Sequence, residues 1–226
     1  MALPRTVAID GPAGAGKSSI CRVVARDLGY LFVDTGAFYR AVTLAVIRAG
    51  LLDADDAAII RLTSQLNLDI VPQHDQYAVL LNGEDVTQAI QQSGVDANVS
   101  RISAISGVRA VLNEKYRQLA ARGPVIMAGR DIGTVVLPQA DLKIYLDASP
   151  EARAERRYRQ RIAGGQQANY DEILSSLRSR DASDSQREVD PLRRPSDATY
   201  VHTDDLDIES AIRQVKQIIL NWQPAH

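Results

Sequence analysis

The sequence predicts an α/β fold: a parallel sheet with crossover helices, interrupted by a small antiparallel insertion. Three observations carry this reading. Strand, glycine loop, helix, strand and helix follow one another between Thr6 and Gly50, the order of a parallel sheet whose strands are joined by helices. Asn82-Gly83 is a hairpin turn signal in mid-chain, because both residues tolerate positive φ. The α/β alternation then resumes at residue 107. A chain of 226 residues suits one domain with an insertion or two moving subdomains.

Each element has its own signal. Thr6-Val7-Ala8-Ile9 is an apolar run ending in Asp10-Gly11-Pro12, a buried strand entering a loop. Ser18 to Leu28 places Ile20, Val23, Val24 and Leu28 at helical spacing, and Gly29 stops it. Leu31-Phe32-Val33 predicts a second strand, and Phe38 to Ala49 a helix closed by Gly50. Leu68 to Val71 and Tyr77 to Leu81 predict strands that, with the Asn82-Gly83 turn, do not belong in a parallel crossover. Residues 63–98 are therefore expected to form a small inserted subdomain. Further on come a helix over 107–121, stopped by Gly123, and core strands at Val125-Ile126-Met127 and Leu142 to Leu146. A helix follows Ser149-Pro150, with serine as cap and proline in the first turn. Thr199 to His202 is the last strand and 207–221 the closing helix.

Composition narrows the function classes. The hydrophobic fraction is 45% with aromatics at 5%, so the core is aliphatic. A net charge of -2 gives no bulk field toward nucleic acid or membrane. Cys21 is the single cysteine, which excludes an intrachain disulfide and fits a reducing compartment. The first residues are too short and polar a stretch for a signal peptide, and no run of about 18 apolar residues occurs. A cytoplasmic protein with no membrane or nucleic-acid partner is expected. Residues 151–194 hold ten arginines and eight acids with signs interleaved, and Gly164-Gly165 breaks the segment in two. It reads either as a solvated helical hairpin or as a mobile lid, 155–190, whose arginines close over phosphates.

Gly11-Pro12-Ala13-Gly14-Ala15-Gly16-Lys17-Ser18 fits the phosphate-binding loop G-x-x-x-x-G-K-[ST], with Ser19 following on the helix. Glycines let backbone N–H groups turn inward around phosphates, and the helix after them points its positive end at the same anion. Lys17 is expected at the β- and γ-phosphates of ATP, and the Ser18 hydroxyl on Mg²⁺. Ser19 stands where a dinucleotide fingerprint needs its third glycine, so that reading is excluded. The Asn-Lys-x-Asp motif of GTPases is absent. A small-molecule kinase is favoured.

Four segments then occur in order: Ile9 to Lys17, Asp34-Thr35-Gly36-Ala37-Phe38-Tyr39-Arg40, Gly129-Arg130-Asp131-Ile132-Gly133-Thr134-Val135-Val136, and Arg178-Ser179-Arg180-Asp181. Together they resemble the bacterial-type cytidylate kinases over nearly the whole chain. The resemblance implies a five-stranded parallel P-loop kinase sheet, an insertion near 63–98 on the acceptor side, and a monomer. It also implies transfer of phosphate from ATP to CMP or dCMP, in pyrimidine nucleotide metabolism. Thr35, Arg40 and Arg130 match positions that hold the acceptor nucleotide, the two arginines at its phosphate. Ser100, Arg109, Asp131 and Arg187 match positions that read the cytosine. Arg180 and Asp184 match positions around the pentose. Arg156 or Arg157 resembles the lid arginine beside adenine, and the register stays open because the segment offers arginines at 153, 156, 157, 159 and 161.

Local readings compete with several of these roles. Arg40 alone reads equally as a surface charge, Asp131 as a helix cap or partner of Arg130, and Arg180 with Asp184 as a helical ion pair. Tyr39 either lines the acceptor site or anchors its helix. His74, His202 and His226 have no metal-ligand spacing. Cys21 and Trp222 are expected to be packing residues. The chain departs from the resembled family at Ala128, where an acid usually precedes Gly-Arg-Asp. Asp10 or Asp34 is the candidate to compensate near Mg²⁺. Two other readings are a shikimate- or gluconate-type kinase and a non-catalytic nucleotide sensor.

Overall fold

A computed structural model describes residues 3–73 and 76–224. His74 and His226 lie outside the described residues. The chain runs β1 (Thr6–Asp10), α1 (Lys17–Leu28), β2 (Leu31–Asp34), α2 (Thr35–Arg48) and α3 (Asp56–Gln65). The insertion follows as β3 (Leu68–Gln73), β4 (Gln76–Leu81) and β5 (Glu84–Asp85), then α4 (Ser93–Ala104) and α5 (Ser106–Ala121). β6 (Val125–Gly129), a π-helical turn over Ile132–Val136 and β7 (Leu142–Asp147) return to the sheet. α6 (Pro150–Ala163), α7 (Tyr170–Gln186), β8 (Thr199–His202) and α8 (Ile208–Leu220) complete the order.

Five strands form one parallel sheet in the order β2-β6-β1-β7-β8. Strand alternation divides its faces. Ala8, Val125 and Met127 point into a core shared with α2, α4 and α5. Val7, Ile9, Ile126 and Ala128 point into a second core against α1 and α8. Cys21 is buried in that second core, as a packing residue should be. The winding reverses at β1: the chain passes first to β2 on one side and, after β6, to β7 and β8 on the other. Open α/β sheets bind ligands outside the carboxyl ends of their strands at such a reversal. Register brings Asp10 level with Gly129 and Tyr145, and Asp34 level with Ala128, at that edge.

The expected hairpin is present. β3, β4 and β5 form a three-stranded antiparallel sheet, and Asn82 and Gly83 take φ of 52° and 86° between Leu81 and Glu84. Leu68, Ile70, Val79 and Leu81 bury in the same core as Phe38 and Leu112, so the insertion shares the main core. The Tyr77 hydroxyl donates to the Tyr30 carbonyl at 3.0 Å and fastens the insertion beside the sheet.

Several elements differ from expectation. α2 begins at Thr35, three residues early, because the Asp34 carboxylate caps it by accepting from the Gly36 N–H at 3.0 Å. α3 and α4 were not expected; α3 has a cap in Asp55, which accepts from the Ala58 N–H at 2.7 Å. The π-helical turn after β6 carries no propensity signal. It is held from a distance by Asp10, whose two carboxylate oxygens accept from the N–H groups of Ile132 and Gly133 at 2.7 Å each.

Candidate active site

A cleft of about 880 Å³ lies along the carboxyl edge of the sheet. Ala13 to Ser19 line one end of it. Gly11 has φ of +149°, and a Cβ there would lie 1.9 Å from the Leu146 carbonyl oxygen. Only glycine lets the chain leave β1 so close to β7. Gly11 and Pro12, expected with Ala13 to Ser19 at the nucleotide, form the back of the loop and do not line the cleft. Their carbonyls instead accept from the buried Lys17 Nζ at 2.6 and 2.7 Å. Burial, and next the nearby Arg130, hold the Lys17 pKa well below its usual range, against the pull of Asp34 and Asp10.

The Ser18 hydroxyl donates to the Asp34 carboxylate at 2.6 Å, and both residues line the cleft. A hydroxyl and a carboxylate are hard oxygen donors that suit Mg²⁺, which keeps several waters and few protein ligands. Among the described residues no group of three or more His, Cys, Asp or Glu could hold a metal. The donor set therefore fits a cation shared with phosphate oxygens. Asp10 does not fit that role, since both its oxygens are engaged by the π-helical turn. Burial raises its pKa to about 6, partly offset by those backbone bonds to Gly133 and Ile132.

The other half of the cleft is a net of arginines and carboxylates. Arg109 is buried on α5 and donates to Asp131 and, from Nε at 2.9 Å, to Asp190. Its guanidinium lies 5.6 Å from the centre of the Tyr39 ring. Burial opposes the Arg109 charge, and Tyr39, Asp131 and Asp190 outweigh it, so its pKa is raised. Arg187 approaches the other Asp131 oxygen at 3.5 Å. Asp131 is thus no partner of Arg130, which pairs through Nε with Asp184 at 2.7 Å. Arg40 donates to the Ile90 carbonyl at 3.1 Å and pairs with Asp96, so it faces the insertion side of the cleft. Arg180 lines the same cavity, and its Nε has no hydrogen-bond partner among the described residues. Burial and then Arg130 lower the Arg180 pKa.

Thr35 and Tyr39 also line the cleft; the Thr35 hydroxyl donates to the Ala128 carbonyl at 3.0 Å, and the buried Tyr39 hydroxyl has no hydrogen-bond partner among the described residues. Ser100 is exposed on α4 and does not line the cleft. Ser103, one turn later, does, and its carbonyl accepts from Arg109 at 3.3 Å.

The charged segment after β7 forms two antiparallel helices, α6 and α7, with Gly164 and Gly165 between them. Arg156 and Arg157 both line the cleft but serve different ends. Arg156 donates to the Thr203 hydroxyl at 3.1 Å and to the Thr203 carbonyl, beside Leu206 and Ile208 at the donor side. Burial, and next Arg161, lower the Arg157 pKa, and its further charged neighbours are Asp96 and Arg40. Arg153 was not singled out among the arginines of its segment. It is buried, donates to the Ala13 carbonyl at 2.8 Å, and pairs with Asp181, tying α7 to the phosphate loop. Asp190 was also missed as a site residue, whereas Asp34, one of the two acids expected near Mg²⁺, does line the cleft. His202 sits exposed on β8, 3.2 Å from Asp204. Trp222 donates to the Asp141 carbonyl at 2.9 Å.

Phosphate loop, buried lysine and a ring of arginines over one cleft define a P-loop kinase. The cytidylate kinase family profile matches residues 7–221. A cytidylate kinase from Mycobacterium leprae strain Br4923 is 48% identical over 214 residues, 94% of each chain. One from Carboxydothermus hydrogenoformans is 43% identical over 213 residues, 94% of this chain and 96% of the relative. A solved structure of an uncharacterized protein from Eubacterium ventriosum shares the fold at a TM-score of 0.50 and 8% identity, covering 95% of this chain and 98% of that one. The chain belongs to the cytidylate kinase family. Among the described residues no helix is long and apolar enough to cross a membrane.

Proposed function

We propose that this protein transfers the γ-phosphoryl group of ATP to CMP or dCMP, giving ADP and CDP or dCDP. One observation carries the reading. A single cleft runs from the phosphate loop to the Asp131–Arg109–Arg187 net, and Arg40, Arg130, Arg157 and Arg180 lie between. That middle ground suits anions: four cations share it, and the pKa values of Arg180 and Arg157 are lowered there, first by burial. Phosphates would relieve both the burial and the mutual repulsion.

In this reading an acceptor phosphate oxygen attacks the γ-phosphorus, and the bond to the β-phosphate oxygen breaks. The acceptor is already ionised near neutral pH, so no general base is required. Lys17 and the backbone N–H groups of residues 13–18 take the donor phosphates, while Arg40 and Arg130 hold the acceptor phosphate in line. Ser18 and Asp34 would hold Mg²⁺, which when bound neutralises charge on the donor phosphates. Arg156 serves the donor base, and Arg157 the phosphates, as part of a lid over 155–190. Residues 63–98 serve as the acceptor-side subdomain. The Asp131 carboxylate accepts from the cytosine amine, while Arg109 and Arg187 donate to the ring acceptors. Arg180 and Asp184 take the pentose. The protein works as a cytoplasmic monomer.

A coupled assay of ADP release across the common nucleoside monophosphates tests this. CMP and dCMP should give the highest kcat/KM, and ATP alone should release little ADP, because lid closure excludes water. Equal release with shikimate, gluconate or no acceptor would overturn it. Binding of both nucleotides with no turnover would mark a sensor instead.

A further inference from the structure

Asp190 follows α7, beyond every segment that carries the family resemblance. It is one of two described non-glycine residues with positive φ, at 52°; the other is Asn82 in its hairpin turn. Such a conformation is uncommon outside glycine and persists only where the surroundings hold it. Here they do. The Asp190 carboxylate accepts from Arg109 Nε at 2.9 Å, and its own carbonyl accepts from Arg187 Nε at 2.5 Å. Arg109 and Arg187 are also the two cations on either side of Asp131. The four residues close a ring, Asp131–Arg109–Asp190–Arg187, in which Asp190 mirrors Asp131. The segment behind it is docked as well: the Leu192 N–H donates to the Asp184 carbonyl at 2.8 Å, and the Leu192 side chain is buried.

We propose that Asp190 is a positioning residue for cytosine selection, aiming Arg109 and Arg187 at the base from the trailing end of the lid. It touches no substrate in this scheme. Arg109 is a long side chain with several rotamers, and Asp131 alone fixes one end of it. A carboxylate at Nε, with the Ser103 carbonyl at Nη1, fixes the other. Pre-organised donors discriminate among bases better than mobile ones. The arrangement also couples base reading to the lid, because Asp190 can meet Arg109 only when the end of α7 is docked. This inference rests on the reading of Asp131 and Arg109 as the base-contacting pair.

Two substitutions separate its backbone from its carboxylate. Asp190→Gly accepts positive φ but removes the carboxylate; Asp190→Asn tolerates positive φ and keeps a neutral acceptor. Asp190→Gly should raise the KM for CMP about tenfold and narrow the CMP-to-UMP preference, with the KM for ATP changed less than about twofold. Asp190→Asn should recover most of this, leaving the KM for CMP raised about two- to threefold over native. Calorimetric titration with CMP alone should show the same order. A native KM for CMP in a folded Asp190→Gly protein, or an equal rise in the KM for ATP, would overturn the proposal. Should Asp190→Gly fail to fold, Asp190→Asn decides, and a KM for CMP identical to native overturns it. Asp131→Asn in the same assay isolates the underlying reading. If that variant keeps the native CMP-to-UMP ratio, base reading by Asp131 is wrong. If it loses the ratio while Asp190→Gly keeps it, only the role of Asp190 fails.

Discussion

The two halves of the cleft are built by different physics. The donor half is local: Gly11 to Ser18 are consecutive, and their work is done by backbone conformation, one helix end and one lysine. The acceptor half is assembled from afar. Arg109 meets Asp131 across 22 positions and Asp190 across 81, and Arg130 meets Asp184 across 54. A local loop keeps its geometry as long as its glycines remain. A net of long-range ion pairs keeps its geometry only while every element that contributes to it is docked. On the proposed reading, phosphate binding is thereby robust and generic, while base choice depends on α7 and the insertion being docked.

Substitutions on the two sides should fail differently. The largest effect is expected from Lys17→Ala, which should lower kcat by on the order of 100-fold or more. A near-native rate in steady-state assays would show that the donor half does not carry the chemistry. Arg130→Ala should act on the other side, raising the KM for CMP by about tenfold or more while leaving the KM for ATP within a few-fold. Equal effects on both substrates would dissolve the distinction between the halves.

Asp10 sharpens the comparison, because it joins them. It leaves β1 just before the phosphate loop and holds the turn that follows Arg130 and Asp131. Its carboxyl ionises at about 6 in the fold instead of the ordinary 3.8. The folded state thus binds this proton more tightly than the unfolded chain. The resulting stability is fully present below the ordinary value and is lost as pH rises through about 6. The melting temperature of Asp10→Asn should therefore vary less between about pH 4 and pH 7 than that of the native protein. Identical pH profiles would place the titration elsewhere. The same variant sets an amide N–H₂ against one backbone N–H, so it should also weaken CMP binding.

The smallest effect is expected at Ala128. It is buried, level with Asp34 across the sheet, and its side chain packs in the apolar face with Ile9 and Ile126. On the proposed reading Asp34, which accepts from Ser18, is the acid that would act near Mg²⁺, whereas both Asp10 oxygens accept from backbone N–H groups. Ala128→Asp should lower the Mg²⁺ concentration at half-maximal rate by a few-fold, without moving the KM for CMP, and should lower the melting temperature. Unchanged Mg²⁺ dependence would mean that Asp34 and the phosphates suffice.

The same division explains what was legible in the sequence. The phosphate loop, the sheet strands and the Asn82-Gly83 hairpin all follow from local pattern, and each lies where its pattern placed it. The acceptor residues became visible only through family resemblance, since nothing local to Asp131 says that Arg109 rather than Arg130 is its partner. The π-helical turn was invisible because a carboxylate 122 positions away holds it. Arg153 was hidden among five arginines on one helix, where only burial distinguishes it. Ser100 is where resemblance and geometry part: it is exposed, and the cleft is lined instead by Ser103, one turn further along the same helix.

Calorimetric titration of CMP, without ATP, into Lys17→Ala and Arg130→Ala proteins tests the division of the cleft most directly. Lys17→Ala should bind CMP within about threefold of the native affinity, and Arg130→Ala at least about tenfold more weakly. A Lys17→Ala protein that has lost CMP binding, beside an Arg130→Ala protein that retains it, would contradict the account.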